Sequence, residues 1–153
     1  MRQCAGFTLV ELITCIVIIG VLAALVGPRF FSNQVYAEKG YIDELAAALR
    51  SAQRVAVVSA CDVRVTIAVG GYQARQRAAA GNQCALAGAW PTPVLRADGA
   101  PLAGTPPQGA NVAPATQIVF NSTGAVTGAA PPVLSVGAFT LSVDPLSGFV
   151  TVP

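Results

Sequence analysis

Seven carboxylates, four cysteines, nine Lys or Arg side chains and no histidine are the chemically active groups of this 153-residue chain. Without histidine, the commonest general base and the commonest metal ligand are both missing. The remaining residues form no nucleophile–base set, no metal-ligand spacing and no Gly-rich phosphate loop with its lysine. No enzyme activity, metal or cofactor is therefore expected. Three groupings keep chemical interest. Glu11 is a lone carboxylate in an apolar run. Cys61 and Cys84 lie well beyond that run, whereas Cys4 precedes it and Cys15 is inside it. Arg64, Arg75 and Arg77 stand close together in a segment of alternating polarity.

The first of these depends on the element that carries it. Phe7 to Val26 reads FTLVELITCIVIIGVLAALV, with Glu11 as its one charge. As a helix it would be roughly 30 Å long, the thickness of a bilayer's hydrocarbon core. Only six residues precede it, with Arg2 and the initiating amine as positive charge, so the N-terminus is expected to stay cytoplasmic and the rest to cross. An ordinary secretory signal has a shorter apolar stretch followed by its cleavage site, and here Gly6 comes before a longer one. Glu11 is anomalous, because a carboxylate near the start of a membrane helix costs on the order of 3 kcal/mol. Such a residue needs a partner.

The segment Gly6-Phe7-Thr8-Leu9-Val10-Glu11-Leu12-Ile13 resembles the class III signal of type IV prepilins and type II secretion pseudopilins. The resemblance implies cleavage of Gly6–Phe7 by a prepilin peptidase and N-methylation of Phe7. Glu11 would be the fifth residue of the mature chain. In a filament core of low dielectric, Glu11 of one subunit would neutralise the new amine at Phe7 of its neighbour and fix their axial register. Gly27-Pro28 closes the apolar run, and proline is expected to kink or locally melt the helix there. Pilin-like proteins commonly carry a proline at this point, so Pro28 joins Glu11 as an assembly residue. The implied fold class is α+β, type IV pilin-like: a long N-terminal helix, transmembrane in its first half, packed on an antiparallel β-sheet domain.

Past Pro28 the apolar period becomes helical and one-sided. Ile42, Leu45, Leu49, Ala52 and Ala56 recur at three- and four-residue steps, and Glu38, Lys39, Asp43, Glu44, Arg50 and Arg54 fill the other faces. One face is meant for a sheet; Glu38, Asp43 and Arg50 read as solvated or as contacts to adjacent subunits. The helix is expected to run, bent at Pro28, to about Ser59. From Val63 the period is two, with Val63, Val65, Ile67 and Val69 facing inward. Gly70-Gly71 suits a two-residue hairpin turn, and Tyr72 to Arg77 returns. That register puts Arg64 opposite Arg77 with Arg75 diagonal to it, three like charges on one exposed face. They read as a solvated or ion-paired surface, with an anion or DNA contact as the alternative.

The hairpin also brings the chain back near Cys61 at about Ala80, which makes a Cys61–Cys84 disulfide the expected pairing in an oxidising compartment. From Ala78 to Thr116 turn formers dominate and no regular element is expected; Trp90 is the one bulky anchor there, read as packing. Strand signals return at Gln117–Phe120 and in a last hairpin, Phe139–Val143 and Phe149–Val152. This order of elements resembles the GspH/FimT group of minor pilins and pseudopilins. Leu49–Val57 leading into Val63–Val65 also resembles the C-type minor pilins of mannose-sensitive haemagglutinin pili.

The chain therefore divides into a leader (1–6), a transmembrane and assembly helix (7–28), an amphipathic half-helix (29–60) and a β-rich domain (61–153) with a Pro/Gly-rich loop at about 97–116. The resemblance implies a minor pilin or pseudopilin, a structural subunit near the tip of a type IV pilus or type II secretion pseudopilus. Its partners would be the prepilin peptidase, other pilins or pseudopilins and the bacterial inner membrane, with the C-terminal domain in the periplasm before assembly. The rival class is a DNA-binding minor pilin for DNA uptake. After Arg96 there is no Lys or Arg and the formal net charge is only +2, so DNA is not expected as a partner.

Overall fold

The computed structural model describes residues 7–30, 33–80, 83–85, 87–129 and 131–153. Contacts divide the chain into two compact units, with the division between Asn33 and Gln34.

The first unit holds α1, Leu9–Phe30, 22 residues long. The expected break at Gly27-Pro28 is not where the helix ends: it continues through Pro28 to Phe30. A proline gives up one helical hydrogen bond but keeps a helical φ, so one missing bond does not melt the turn. Among the described residues no helix is long and apolar enough to cross a membrane. The apolar run of the sequence continues to Val26, past Ala23, the last α1 residue whose side chain is described.

The second unit is built on α2, Asn33–Ser59, 27 residues long. Its inward stripe is the one the period marks: Ile42, Leu45, Leu49, Ala52 and Ala56 are all fully buried. Tyr41, Ala46 and Ala48 widen that stripe. Glu38 departs from the solvated face expected for it, being 9% exposed. It lies under the backbone at Gly137, where a Cβ would collide with its carboxylate, and Gln34 Nε2 donates to it at 3.3 Å. Ala60 ends the helix in the left-handed region, φ 52°, and the Cys61 N–H reaches back to the Ala56 carbonyl at 3.2 Å. That is a Schellman closure in which alanine takes the place glycine usually holds.

Next come β1, Val63–Ala68, and β2, Gly71–Gln76, paired antiparallel with Ala68 opposite Gly71. The turn residues are therefore Val69 and Gly70, not Gly70 and Gly71, and Val69 is exposed rather than inward-facing. Gly71 serves another need. Its φ is 129° and any Cβ there would strike the Gly104 carbonyl, so the glycine lets a neighbouring strand approach.

The segment expected to be loop contributes five two-residue strands: β3, Ala79–Ala80; β4, Gln83–Cys84; β5, Thr92–Pro93; β6, Ala103–Gly104; and β7, Val112–Ala113. Strands this short show no period of two. Their partners hold them: β5 and β6 lie along β2, and β7 lies along β9, Leu134–Val136. Between them in sequence, β8, Thr116–Phe120, pairs with the other edge of β1. The expected last hairpin is present as β10, Phe139–Val143, and β11, Val150–Thr151. Two main antiparallel sheets result, β5-β2-β1-β8 with β6 on β2, and β11-β10-β9-β7, beside the small two-stranded sheet β3-β4. Val65, Ile67, Ile118 and Phe120 from the first and Leu134, Val136, Leu141 and Val150 from the second join the α2 stripe in one apolar core. The fold class is α+β, a long N-terminal helical segment and an antiparallel sheet domain.

Candidate functional site

Phe7 and Thr8 lie ahead of α1 and outside the helix. Thr8 is the N-cap: its Oγ1 accepts the Glu11 N–H at 3.2 Å and its carbonyl accepts the Leu12 N–H at 3.2 Å. Glu11 thereby falls in the first turn, where the helix dipole favours a carboxylate. Every side chain from Phe7 to Ala23 is exposed, Phe7 at 71% and Leu9 at 73%. Cys15, on the same helix, is a free, exposed thiol. This helix carries an apolar surface on all sides and one carboxylate. Gly6 lies outside the described residues, and Pro28 stands within the last turns of α1.

In the second unit the arginine register differs from the expected one. Arg64 lies directly opposite Arg75, because the turn is one residue earlier than the two glycines suggest. Arg77 falls past the end of β2, where its N–H donates to the Asp62 carbonyl at 3.0 Å and its Nε pairs with the Asp62 carboxylate at 3.3 Å. Trp90 takes both outer arginines: Arg77 lies 4.1 Å and Arg64 5.0 Å from its ring centre. Arg64 Nε is buried with no hydrogen-bond partner among the described residues. Arg75 is exposed, with only long contacts to Gln73 Oε1 at 3.5 Å and the Pro91 carbonyl at 3.4 Å. The three cations do not converge on one open spot; two of them are spent on Trp90 and one of those also on Asp62. Trp90, expected as a packing anchor, packs against these two arginines.

Cys61 and Cys84 are joined, their Cα atoms 5.4 Å apart, inside the usual range for a disulfide. Cys61 follows the Ala60 closure of α2, and Cys84 is held opposite Ala79 in the β3–β4 pair.

A polar network unforeseen from the sequence ties α2 to β2 and the segment after β5. Tyr72 donates to Glu44 Oε1 at 2.7 Å, and Arg96 reaches the same oxygen at 3.1 Å and the Tyr72 hydroxyl at 3.3 Å. Arg96 also donates to the Ala103 carbonyl. Burial, and then the Glu44 carboxylate, push the Tyr72 hydroxyl well above its ordinary pKa. Burial, with Glu44 nearby, raises Tyr41 to about 12. Glu44, Tyr72 and Arg96 line a groove of about 270 Å³. A larger one, about 560 Å³ and open to solvent, lies at the hairpin tip among Thr66, Ala68, Tyr72, Gln73 and Thr105. Neither presents a nucleophile beside a base, and the tyrosines are held protonated by burial. The network is a brace between helix and sheet.

The family described as type II transport protein GspH matches residues 42–151, more than half of the chain, from within α2 through β11. The chain belongs to the GspH family. A prokaryotic N-terminal methylation motif matches residues 1–27, the segment that contains Gly6, Phe7 and Glu11. Two curated relatives of this GspH-family chain are components of a type IV pilus and of a type II secretion system. The chain is 49% identical over 55 residues to the type IV narrow pilus major component PilA5 of Thermus thermophilus, covering 36% of this chain and 47% of the relative. It is 48% identical over 52 residues to the type II secretion system core protein G of Pseudomonas aeruginosa, covering 31% of this chain and 37% of that relative. The chain thus spans less than half the length of each. No solved structure matches it significantly.

Proposed function

We propose that the chain is a minor structural subunit of a type IV pilus or type II secretion pseudopilus, clipped between Gly6 and Phe7, methylated at Phe7, and assembled through α1. The observation that carries this reading is α1 itself, whose side chains from Phe7 to Ala23 are apolar but for Glu11 and a few small or weakly polar residues, and are uniformly exposed. Such a surface is stable only when lipid or other helices cover it. Before assembly the cover would be the bacterial inner membrane, which the full run Phe7–Val26 is long enough to span, with the domain in the periplasm. After assembly it would be the helices of neighbouring pilins or pseudopilins. Glu11 of one subunit then pairs with the Phe7 amine of the next, because an unpaired charge of either sign is costly in that core. Low copy number and a place near the tip belong to the same proposal and follow from the resemblance to the GspH/FimT group of minor pilins and pseudopilins. The domain has the build of a packing module, and we assign it no enzymatic role.

Two substitutions separate processing from assembly. Gly6→Val should block cleavage, so that the full precursor collects in the membrane. Glu11→Val should be clipped normally and sit in the bilayer at least as well as wild type, having lost a costly carboxylate, yet enter filaments poorly. Immunoblots of membranes and sheared filaments read both. Efficient incorporation of Glu11→Val would sink the charge-pair mechanism, and an uncleaved wild-type chain would sink the processing step.

A further inference from the structure

We propose that the C-terminal end of α2 and the loop Asp144–Phe149 form a docking surface for the globular domain of a neighbouring subunit of a different kind, which meets it with apolar side chains and a carboxylate. This rests on the reading of the chain as a subunit of a pilus or pseudopilus.

The loop is held both from within and from the helix. Asp144 Oδ1 accepts the Leu146 and Ser147 N–H groups at 3.1 and 2.7 Å and the Ser147 hydroxyl at 2.8 Å, and the Gly148 N–H closes back on the Asp144 carbonyl at 2.8 Å. Gln53 Nε2 of α2 donates to the Ser147 carbonyl at 2.7 Å and to the Gly124 carbonyl at 3.0 Å. At Gly148 a Cβ would strike the Gln53 side chain and the Gly124 carbonyl, so the loop is pressed onto the helix. Yet its two large apolar side chains face water, Leu146 at 86% and Phe149 at 65% exposure. One helical turn beyond Gln53, Val57 lies against Gly124, and the adjacent Val58 is 87% exposed. Single exposed apolar residues need no explanation. Four of them around one pinned contact make a preorganised face, which loses little conformational entropy when it is covered. Grooves of about 240 and 220 Å³ flank the Arg54–Val58 row, a relief that a partner's side chains can fill.

Charge and area select the occupant. Among the described residues Lys39, Arg77 and Arg96 each pair with an acid, and Arg54 does not. Covering this face strips water from Arg54, so the partner must bring a carboxylate. Asp144, the carboxylate of the loop, is already occupied by its own turn. Two copies meeting through this face about a twofold axis would set Arg54 against Arg54, so the face is not self-complementary. Four apolar side chains also fall short of the roughly 800 Å² a side that a stable complex needs. A contact of that size suffices between partners already held side by side, where it becomes effectively intramolecular. Subunits gathered through helices such as α1 meet that condition.

The test uses the full chain in the cell that assembles it. A photoreactive benzoylphenylalanine replaces Leu146 or, as control, Val69, which is 65% exposed at the far end of the β1–β2 hairpin. Sheared filaments are irradiated and adducts are identified by mass spectrometry. The Leu146 probe should join the globular domain of a different subunit that carries its own N-terminal methylation motif, and the Val69 probe should not. Arg54→Glu should lower the adduct yield roughly tenfold, and changing the carboxylate nearest the crosslink on the neighbour to Lys should restore it, which also shows that Arg54→Glu still folds. An adduct to a second copy of this chain or to lipid, or a yield at Leu146 no higher than at Val69, overturns the proposal. An unchanged yield in Arg54→Glu, or no rescue by the neighbour's Lys, overturns it as well. If the wild-type chain is absent from sheared filaments, the filament reading itself falls and takes this proposal with it.

Discussion

The guanidinium of Arg77 lies 4.1 Å from the ring centre of Trp90 and also pairs with Asp62 at 3.3 Å. With side chains 14% and 29% exposed, that ion pair is partly shielded from solvent and should count for more than a surface pair. Arg75, one strand position from the centre of the same cluster, has no such anchors. Arg77→Gln is expected to destabilise the domain 34–153 by about 1–2 kcal/mol and Arg75→Gln by less than about 0.5 kcal/mol. Trp90, the sole tryptophan, reports both in urea unfolding followed by fluorescence. Equal costs would mean that the stack contributes nothing.

The same engagement bears on nucleic acid. Two of three arginines are occupied within the chain and no Lys or Arg follows Arg96, so the counterion release that drives DNA binding is small. The domain is expected to give no salt-sensitive micromolar complex with duplex DNA in fluorescence anisotropy. A complex that vanishes when Arg64, Arg75 and Arg77 are all changed to Gln would revive the DNA-uptake reading.

Cys61 and Cys84 close a loop with a sequence separation of 23, which on loop-entropy grounds adds about 3 kcal/mol to a small exported domain. Intact mass of the mature chain should show the Cys61–Cys84 bond and a reduced Cys15. Cys61→Ser with Cys84→Ser should lower stability by that amount. Free thiols at both positions after oxidative export would remove the disulfide from the account.

What the sequence makes legible here is periodicity. The α2 stripe from Ile42 to Ala56 and the alternation in β1 and β10 are strong because each repeats several times against one core. Register is a different matter, since it depends on which residues turn. Two adjacent glycines at 70 and 71 point to a turn on both, yet only contact with Gly104 reveals why Gly71 has no side chain. Of the two-residue strands, β3 and β4 pair with each other, whereas β5, β6 and β7 are fixed by partners distant in sequence; none is long enough to leave a local pattern. Thr8 was readable: Thr and Glu three apart before an apolar run are a capping box. Glu38 was not, because its burial follows from the empty space at Gly137, about a hundred positions away.

Backbone conformation gives a pair of opposite expectations. Ala60 sits at φ 52°, where a Cβ costs roughly 1 kcal/mol, so Ala60→Gly should stabilise the domain by up to about that much. Gly71→Ala should cost on the order of 3 kcal/mol, combining a φ of 129° with collision against the Gly104 carbonyl. Chemical denaturation of the two variants should move the midpoint in opposite directions. A destabilised Ala60→Gly would mean that chain entropy outweighs the strain at the helix end.

Alkaline pH should open the brace between α2 and the sheet. Tyr41 is raised from 10.0 to about 12 by burial and by Glu44, and Tyr72 is raised further for the same reasons with its hydrogen bond to Glu44 added. A raised folded-state pKa means that the native domain holds the phenol proton more tightly than the unfolded chain does. The stabilisation is complete below about pH 10 and is lost as pH climbs from there through about 12. Unfolding followed by circular dichroism should therefore set in above pH 10, with tyrosinate absorbance from these two residues rising along the same curve. In Tyr72→Phe the helix–sheet hydrogen bond is gone at every pH, so the variant should start less stable at pH 7 and show a shallower alkaline decline. Tyrosinate absorbance that reaches its full value while the far-ultraviolet spectrum stays native would show that both phenols ionise in place, and that the brace does not depend on their protons.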